Sequence, residues 1–207
     1  MPDFAYETPL WEKRIVAAGI DEAGRGAIAG PVVAAAVIIS GADFDCEGID
    51  DSKKIPAVKR SELFEKLCKS GIIYNYAAID NHKIDEINIL RAAMLAMKEA
   101  AGGLSERPGH LLIDGNRYED NSIPFTTIIG GDALSISIAA ASIIAKVVRD
   151  RWMIETAHAQ YPEYGFDRHK GYGTRAHYDA IEKNGLCALH RNTFLRKFFA
   201  RQYELFE

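Results

Sequence analysis

Three short apolar runs in this chain each close on an acidic residue beside glycine, and no other feature constrains the fold as much. They are the runs from Ile15 to Asp21-Glu22, from His110 to Asp114, and from Phe125 through Gly130-Gly131 to Asp132. Four to six apolar residues bounded by turn residues read as a buried strand. A carboxylate at the tip of such a strand is costly to dehydrate unless something positive meets it. Three of them at the same end of one sheet make an oxygen-rich site for a hard divalent cation. Mg²⁺ suits such a site, because it keeps several waters and needs few carboxylates, and Mn²⁺ accepts the same donors. Asp is also a common turn residue, and Asp132 taken alone reads better as the cap of the helix that follows. Asp21 and Glu22 are adjacent, so a regular strand points them to opposite faces. For both to act at one site the strand must bend or end there, and Gly24 and Gly26 favour a bend.

The rest of the chain supplies a frame for those strands. Pro31–Ile39 and Ile72–Ile79 read as two further strands, with helices at Ala57–Ser70 and Ile84–Ala101. From Ala133 to about His158 the run of Ala, Ile and Val reads as one long buried helix. Residues 174–184 and 190–205 read as two more. Three strands, a helix and two strands followed by helices predict a mixed sheet covered by helices. The 207 residues fit a single domain, 1–207, with residues 174–207 as a helical C-terminal appendage.

Composition excludes more than it selects. Cys46, Cys68 and Cys187 are odd in number and form no C-x-x-C pair, against a disulfide framework or structural zinc. The first residues carry acids and no apolar core, so no secretory signal is expected, and the longest apolar stretch, Leu134–Val148, is too short to span a bilayer. A cytoplasmic, monomeric protein is the expectation. Net charge is −4, but residues 1–145 hold 14 Lys/Arg against 21 Asp/Glu, and residues 146–201 hold 11 against 6. An acidic part that holds cations and a basic part that follows phosphates is one reading of that split; ordinary solvated helix faces are the other.

Asp21-Glu22-Ala23-Gly24-Arg25-Gly26 followed by Gly30-Pro31 resembles the signature of the type 2 ribonucleases H. Further motifs agree in order: Asp51-Ser52-Lys53-Lys54, Leu112–Asn116, Gly131-Asp132, Ala140–Asp150, Tyr164-Gly165-Phe166 and His169–Thr174. The resemblance spans about residues 12 to 195 and is to the shorter, bacterial HII form. It implies the ribonuclease H-like fold, a five-stranded mixed sheet flanked by helices with a helical C-terminal part. It implies four catalytic, metal-ligating carboxylates, mapping onto Asp21, Glu22, Asp114 and Asp132. It also implies hydrolysis of the RNA strand of RNA–DNA hybrids, and cutting at ribonucleotides embedded in duplex DNA, leaving a 3′-hydroxyl and a 5′-phosphate. Two Mg²⁺ or Mn²⁺ ions, roughly 4 Å apart, would stabilise the attacking and leaving oxygens. No side-chain nucleophile is then needed, and no Ser–His or Cys–His pair stands out. Asp150 belongs to a family motif too and competes with Asp132 for the fourth position; its other reading is a helix-surface ion pair beside Arg149 and Arg151.

To tell RNA from DNA, a protein must sense the 2′-hydroxyl. In Gly24-Arg25-Gly26 the absence of Cβ lets the backbone approach a sugar edge while Arg25 holds a phosphate; a plain tight turn is the alternative. Tyr172, between two glycines in a basic neighbourhood, matches the tyrosine that in the family lies against the sugar beyond the scissile ribonucleotide. Lys53, Lys54, His169 and Lys170 are candidate phosphate contacts. A resolvase or exonuclease of the same fold would share the acids but not Gly-Arg-Gly with Tyr172. A nucleic-acid-binding module without catalysis would be expected to lack at least one acid. Gln202-Tyr203-Glu204-Leu205-Phe206 resembles the peptide by which bacterial replication proteins dock on the sliding clamp; the alternative packs Phe198, Phe199, Leu205 and Phe206 back on the domain.

Overall fold

The computed structural model describes residues 1–120 and 122–203, with only the backbone of 197, 198 and 200–203. Five strands form one sheet in the order β3-β2-β1-β4-β5: β1 Ala17–Ala23, β2 Val32–Ile38, β3 Ile73–Ile79, β4 His110–Asp114 and β5 Phe125–Ile128. The first three are antiparallel neighbours, whereas β4 and β5 run parallel to β1, so the sheet is mixed as expected.

Alternation sorts the two faces of β2. Val32, Ala34, Ala36 and Ile38 pack with helix α4 (Ile89–Gly102), and Ala35 and Val37 pack with helix α5 (Ile136–Trp152) and helix α2 (Ala57–Lys69). Small residues bring α5 close, as their run in the sequence predicted. A Cβ on Gly19 would stand 2.2 Å from the Ser137 carbonyl carbon, so only glycine admits this helix against β1. Helix α1 (Thr8–Glu12) was not foreseen from the sequence. The stretch read as one helix from Ile84 is two, α3 (Asn81–Ile87) and α4, because Asn88 takes a left-handed φ of 70° and caps α4 by accepting from Arg91 N. The long helix read from Ala133 begins at Ile136, capped by Ser135, and passes through a π-type turn at Met153–Ala157.

Beyond it come the short α6 (His158–Gln160) and α7 (Phe166–His169), then α8 (Arg175–Asn184) and α9 (Asn192–Tyr203). The last helix is tied to α3, whose Asp85 accepts from Asn192 N, Thr193 N and Thr193 Oγ1 at its first turn. Leu205 and Phe206 of the clamp-like peptide lie outside the described residues, and Gln202 and Tyr203 are described in backbone only. At the other end of the chain Asp3 bridges Ser135, and the buried Glu7 carboxylate accepts from Ser135 Oγ, Ser137 N and Ser137 Oγ. No helix among the described residues is long and apolar enough to cross a membrane.

Candidate active site

The site lies where β1 and β4 part. Their parallel pairing ends at Ile20 with Ile113, while β1 goes on pairing with β2 as far as Ala23 with Val33. The bend expected at Asp21-Glu22 is therefore absent, and both residues are still in strand. What exposes them to one cleft is the loss of the neighbour on the β4 side. Asp132 is not at a strand tip either: it sits four residues past the end of β5, in a 3₁₀ turn at Gly131–Ala133 entered through left-handed Gly130.

Asp21, Glu22, Gly24, Arg25, Gly26, Lys53, Asp114 and Tyr172 line one cleft of about 540 Å³, together with Ser52, Arg60, Ser142 and Lys146. A larger cavity of about 620 Å³, lined by Phe44, Leu63, Leu67 and Ile72 among others, shares no residue with it. That cavity gathers no convergent acids, and its Asp45 is paired with Lys66 at 2.8 Å. Asp132 joins the carboxylate set through Lys53, whose Nζ is 3.3 Å from its Oδ2.

Burial, then the neighbouring Glu22 and Asp114, holds the Asp21 carboxyl well above the usual range. Glu22 is raised by burial despite Arg25 Nη1 at 3.0 Å from its Oε1, and Asp114 is raised by burial and by Asp132. Burial works against a charged Lys53, but Asp132 and Asp21 outweigh it, so the ammonium is stabilised. Gly131 N donates to Asp114 Oδ1 at 2.7 Å, which ties the turn carrying Asp132 to the end of β4.

Buried acids that repel one another call for a cation. The clearest sign is Glu22 Oε2, which is buried and has no hydrogen-bond partner. The donor set is oxygen only, as a hard ion requires. It is gathered but not closed: among the described residues no three His, Cys, Asp or Glu side chains are already spaced to enclose an ion. An ion that retains several waters suits an open set.

Asp150 pairs with Lys146 at 2.8 Å and Arg60 at 3.5 Å and does not itself line the cleft, whereas Asp132 adjoins Asp114 closely enough to raise it. Gly24 has φ +95°, and a Cβ there would meet Arg149 Nε at 2.0 Å, so the Gly-Arg-Gly turn rests on that buried guanidinium. Arg149 donates to Pro31 O, Lys170 O and Ala29 O, and Arg191, equally buried, donates to Gly30 O and Arg25 O. The motifs around Ser142, Lys146 and Arg149 were visible in the sequence, but not that these side chains floor the cleft or brace its loop.

Tyr172 lies with Lys146 Nζ and Arg149 Cζ each 5.3 Å from its ring centre. Its segment pairs with the loop that follows Gly24-Arg25-Gly26 through the Ala27 bridge and the Ile28 N to Gly171 O bond. Other basic candidates face elsewhere. Lys54 lies 3.8 Å from Asp50 and 4.0 Å from Asp51. His169 uses both ring nitrogens on Tyr164 O and Gly171 N, and Lys170 Nζ turns back to Asp167 O. A Cys–His pair that the sequence did not announce also exists: Cys187 Sγ is 3.2 Å from His190 Nδ1. Burial pushes that thiol up and the imidazole down to about 4, the reverse of what an activated nucleophile needs.

This fold with this cleft places the chain among the nucleases of the ribonuclease H-like class. Ribonuclease H2 from Pyrococcus horikoshii OT3 superposes with a TM-score of 0.73 at 27% identity, covering 90% of this chain and 98% of that one. The structure of the PCNA:RNase HII complex from Archaeoglobus fulgidus gives 0.70 at 26% identity, over 86% and 94%. A ribonuclease HII from Chlorobium luteolum is 50% identical over 197 residues, 93% of this chain and 94% of its own. One from Syntrophomonas wolfei is 54% identical over 177 residues, 86% and 69%. The Ribonuclease HII family profile matches residues 18–202, and the chain belongs to that family of ribonuclease H enzymes.

Proposed function

We propose that this enzyme hydrolyses the RNA strand of RNA–DNA hybrids and cuts duplex DNA at embedded ribonucleotides, leaving a 3′-hydroxyl and a 5′-phosphate. The observation that carries the reading is the meeting of buried Asp21 with half-buried Glu22 and Asp114 next to a Gly-Arg-Gly turn in the same cleft, with buried Asp132 beside Asp114. Asp21, Glu22, Asp114 and Asp132 would hold the divalent cations, Mg²⁺ or Mn²⁺. Bound there, such ions would lower the pKa of the attacking water and offset charge on the leaving oxygen.

The chain's own groups do the rest. The backbone of Gly24–Gly26 offers N–H and C=O groups to a 2′-hydroxyl, which both donates and accepts. Arg25, half exposed at 52% of its side chain, reaches a phosphate while keeping its hold on Glu22. Lys53, 74% exposed, stands between Asp132 and solvent and is placed to meet the scissile phosphate. Tyr172 offers a ring face to the sugar beyond it, and Lys146 beneath that ring adds positive charge along the backbone's path.

A duplex carrying one ribonucleotide tests this directly. Cutting on its 5′ side with Mg²⁺, and none with EDTA, is the expected result. Cutting of an all-DNA duplex would point to a different nuclease of this fold, and binding without cutting would point to a module without catalysis. Docking of Gln202–Phe206 on a sliding clamp is part of the same proposal. It is supported by the tail's sequence and by likeness to an archaeal relative solved in complex with PCNA.

A further inference from the structure

We propose that His177 and His190 form a one-way hydrogen-bond relay that fixes the main chain at Tyr172, which makes His177 a positioning residue for ribonucleotide recognition. The inference rests on the role proposed above for Tyr172.

The direction of each bond follows from the two ends, which have no choice. Cys187 N–H can only donate, and it points at His190 Nδ1 from 2.9 Å, closer than the Cys187 carbonyl at 3.2 Å, so the shorter contact assigns that nitrogen no proton. The ring proton of a neutral His190 is then on Nε2, which faces His177 Nε2 at 3.1 Å. By accepting there, His177 keeps its own proton on Nδ1, 3.0 Å from the Tyr172 carbonyl, which can only accept. That carbonyl's other lone pair takes Thr174 N at 2.8 Å.

The surroundings keep both rings neutral. Both are fully buried. His169, itself neutral because Gly171 N donates to its Nδ1, stacks on His177 with ring centres 4.3 Å apart. Phe166 stands edge-on to His177, Tyr164 and the Cys187 thiol lie against His190, and Asn81 Nδ2 donates to the His190 carbonyl. Among the described residues no carboxylate pairs with either ring; the nearby charges, Arg149 on Lys170 O and Arg191 on Gly30 O, are cations. Charging His177 would set two N–H groups against each other at the 3.1 Å contact, and charging His190 would do so at the 2.9 Å contact with Cys187 N.

Such a device has a use at this position. Tyr172 stands between Gly171, at φ +79°, and Gly173, two residues that leave a chain free to swing. One side of the segment is pinned by its bridge to Ala27. The relay pins the other, and ties it to the 187–190 turn that also holds Gly30 N through Leu189 O.

Two measurements test the proposal. In ¹⁵N-detected imidazole spectra of the intact protein at neutral pH, His177 should be the Nδ1–H tautomer and His190 the Nε2–H tautomer. His177 protonated at Nε2, or charged, overturns the relay, whatever any variant does. The second measurement is the ratio of kcat/KM on a single embedded ribonucleotide to that on a continuous hybrid. His177→Phe should lower the ratio about fivefold, the worth of one ordinary hydrogen bond, and His177→Asn, whose amide can still donate to Tyr172 O, should restore most of it. Tyr172→Ala run alongside separates two failures. If it lowers the ratio and His177→Phe does not, the positioning role is wrong; if it leaves the ratio unchanged, the role of Tyr172 is wrong and His177 has no discrimination to support. Should His177→Phe not fold, the tautomer measurement decides alone.

Discussion

Asp21 and Asp114 occupy what would be the next rung of the β1–β4 ladder, one step beyond its last pair, Ile20 with Ile113. Two parallel strands thus deliver two acids side by side where the hydrogen bonding between them stops. Their mutual repulsion is part of what raises the Asp21 carboxyl.

That shift gives the first prediction. Asp21→Asn, Asp114→Asn or Asp132→Asn should lower turnover by on the order of a hundredfold or more, with the fold intact. The metal-free Asp21→Asn protein should also melt higher than the parent at neutral pH. The folded-state pKa of Asp21 lies above its unfolded value, so its favourable contribution is complete below the unfolded value and is lost as pH rises through the folded one. At neutral pH, above the unfolded value, that contribution is reduced or gone, and the amide escapes the penalty of burying the acid. Paired melting curves and single-turnover rates check both halves. If Asp132→Asn works normally while Asp150→Asn is dead, the fourth position belongs to Asp150.

The second concerns the ion. A ligand that binds only the folded state stabilises it by about 2.7 kcal/mol at a hundred times its Kd. Mg²⁺ or Mn²⁺ should therefore raise the melting temperature of the parent, reversibly with EDTA, and Glu22→Gln should blunt the shift. Equal shifts in parent and variant would place the ion elsewhere.

Acid should undo the C-terminal part for a separate reason. Burial holds His177 and His190 at about 4, below the ordinary 6.5 of histidine. For a basic group depressed in this way the stabilisation is present above pH 6.5 and is lost as pH falls toward 4, since the unfolded chain takes up protons that the folded one refuses. Each such shift corresponds to roughly 3 kcal/mol. Stability measured by urea denaturation should drop steeply across that window, and His177→Asn should flatten the slope.

The last prediction concerns the tail. A form ending at Arg201 should cut naked substrates as the full chain does but bind a bacterial sliding clamp more weakly. Tyr203 stands where the resembling peptide usually has Leu, so even the full chain should bind weakly, in the range where tethering rather than affinity does the work. Identical clamp binding by both forms, or none by either, would leave the tail without that role.

Much of the site could be read from the sequence because acids at the ends of apolar runs are a local pattern. The five strands and their mixed topology were legible for the same reason. The turn that carries Asp132 was harder, since one acid beyond Gly130-Gly131 looks the same whether it follows a strand or starts a helix. The break at Asn88 was hidden because apolar spacing continues through it while one residue reverses its φ. What was not legible at all is distant pairing. Lys53 with Asp132, Arg60 with Asp150, and Arg149 under Gly24 join residues far apart in the chain, and only the packing of α5 across the sheet brings them together.

The clasp between the first residues and the start of α5 has its own consequence. Asp3 and Glu7 meet residues about 130 positions away, adding to the local bonds by which Leu134 N and Ser135 N donate to Gly131 O. Contacts closing so long a loop form late in folding, after local helices and neighbouring strands have found each other. The stretch that follows the turn of Asp132 is thus held in part by residues more than a hundred positions upstream. A chain can look assembled by every measure of secondary structure while the clasp of Asp3 and Glu7 on the start of α5 is still open.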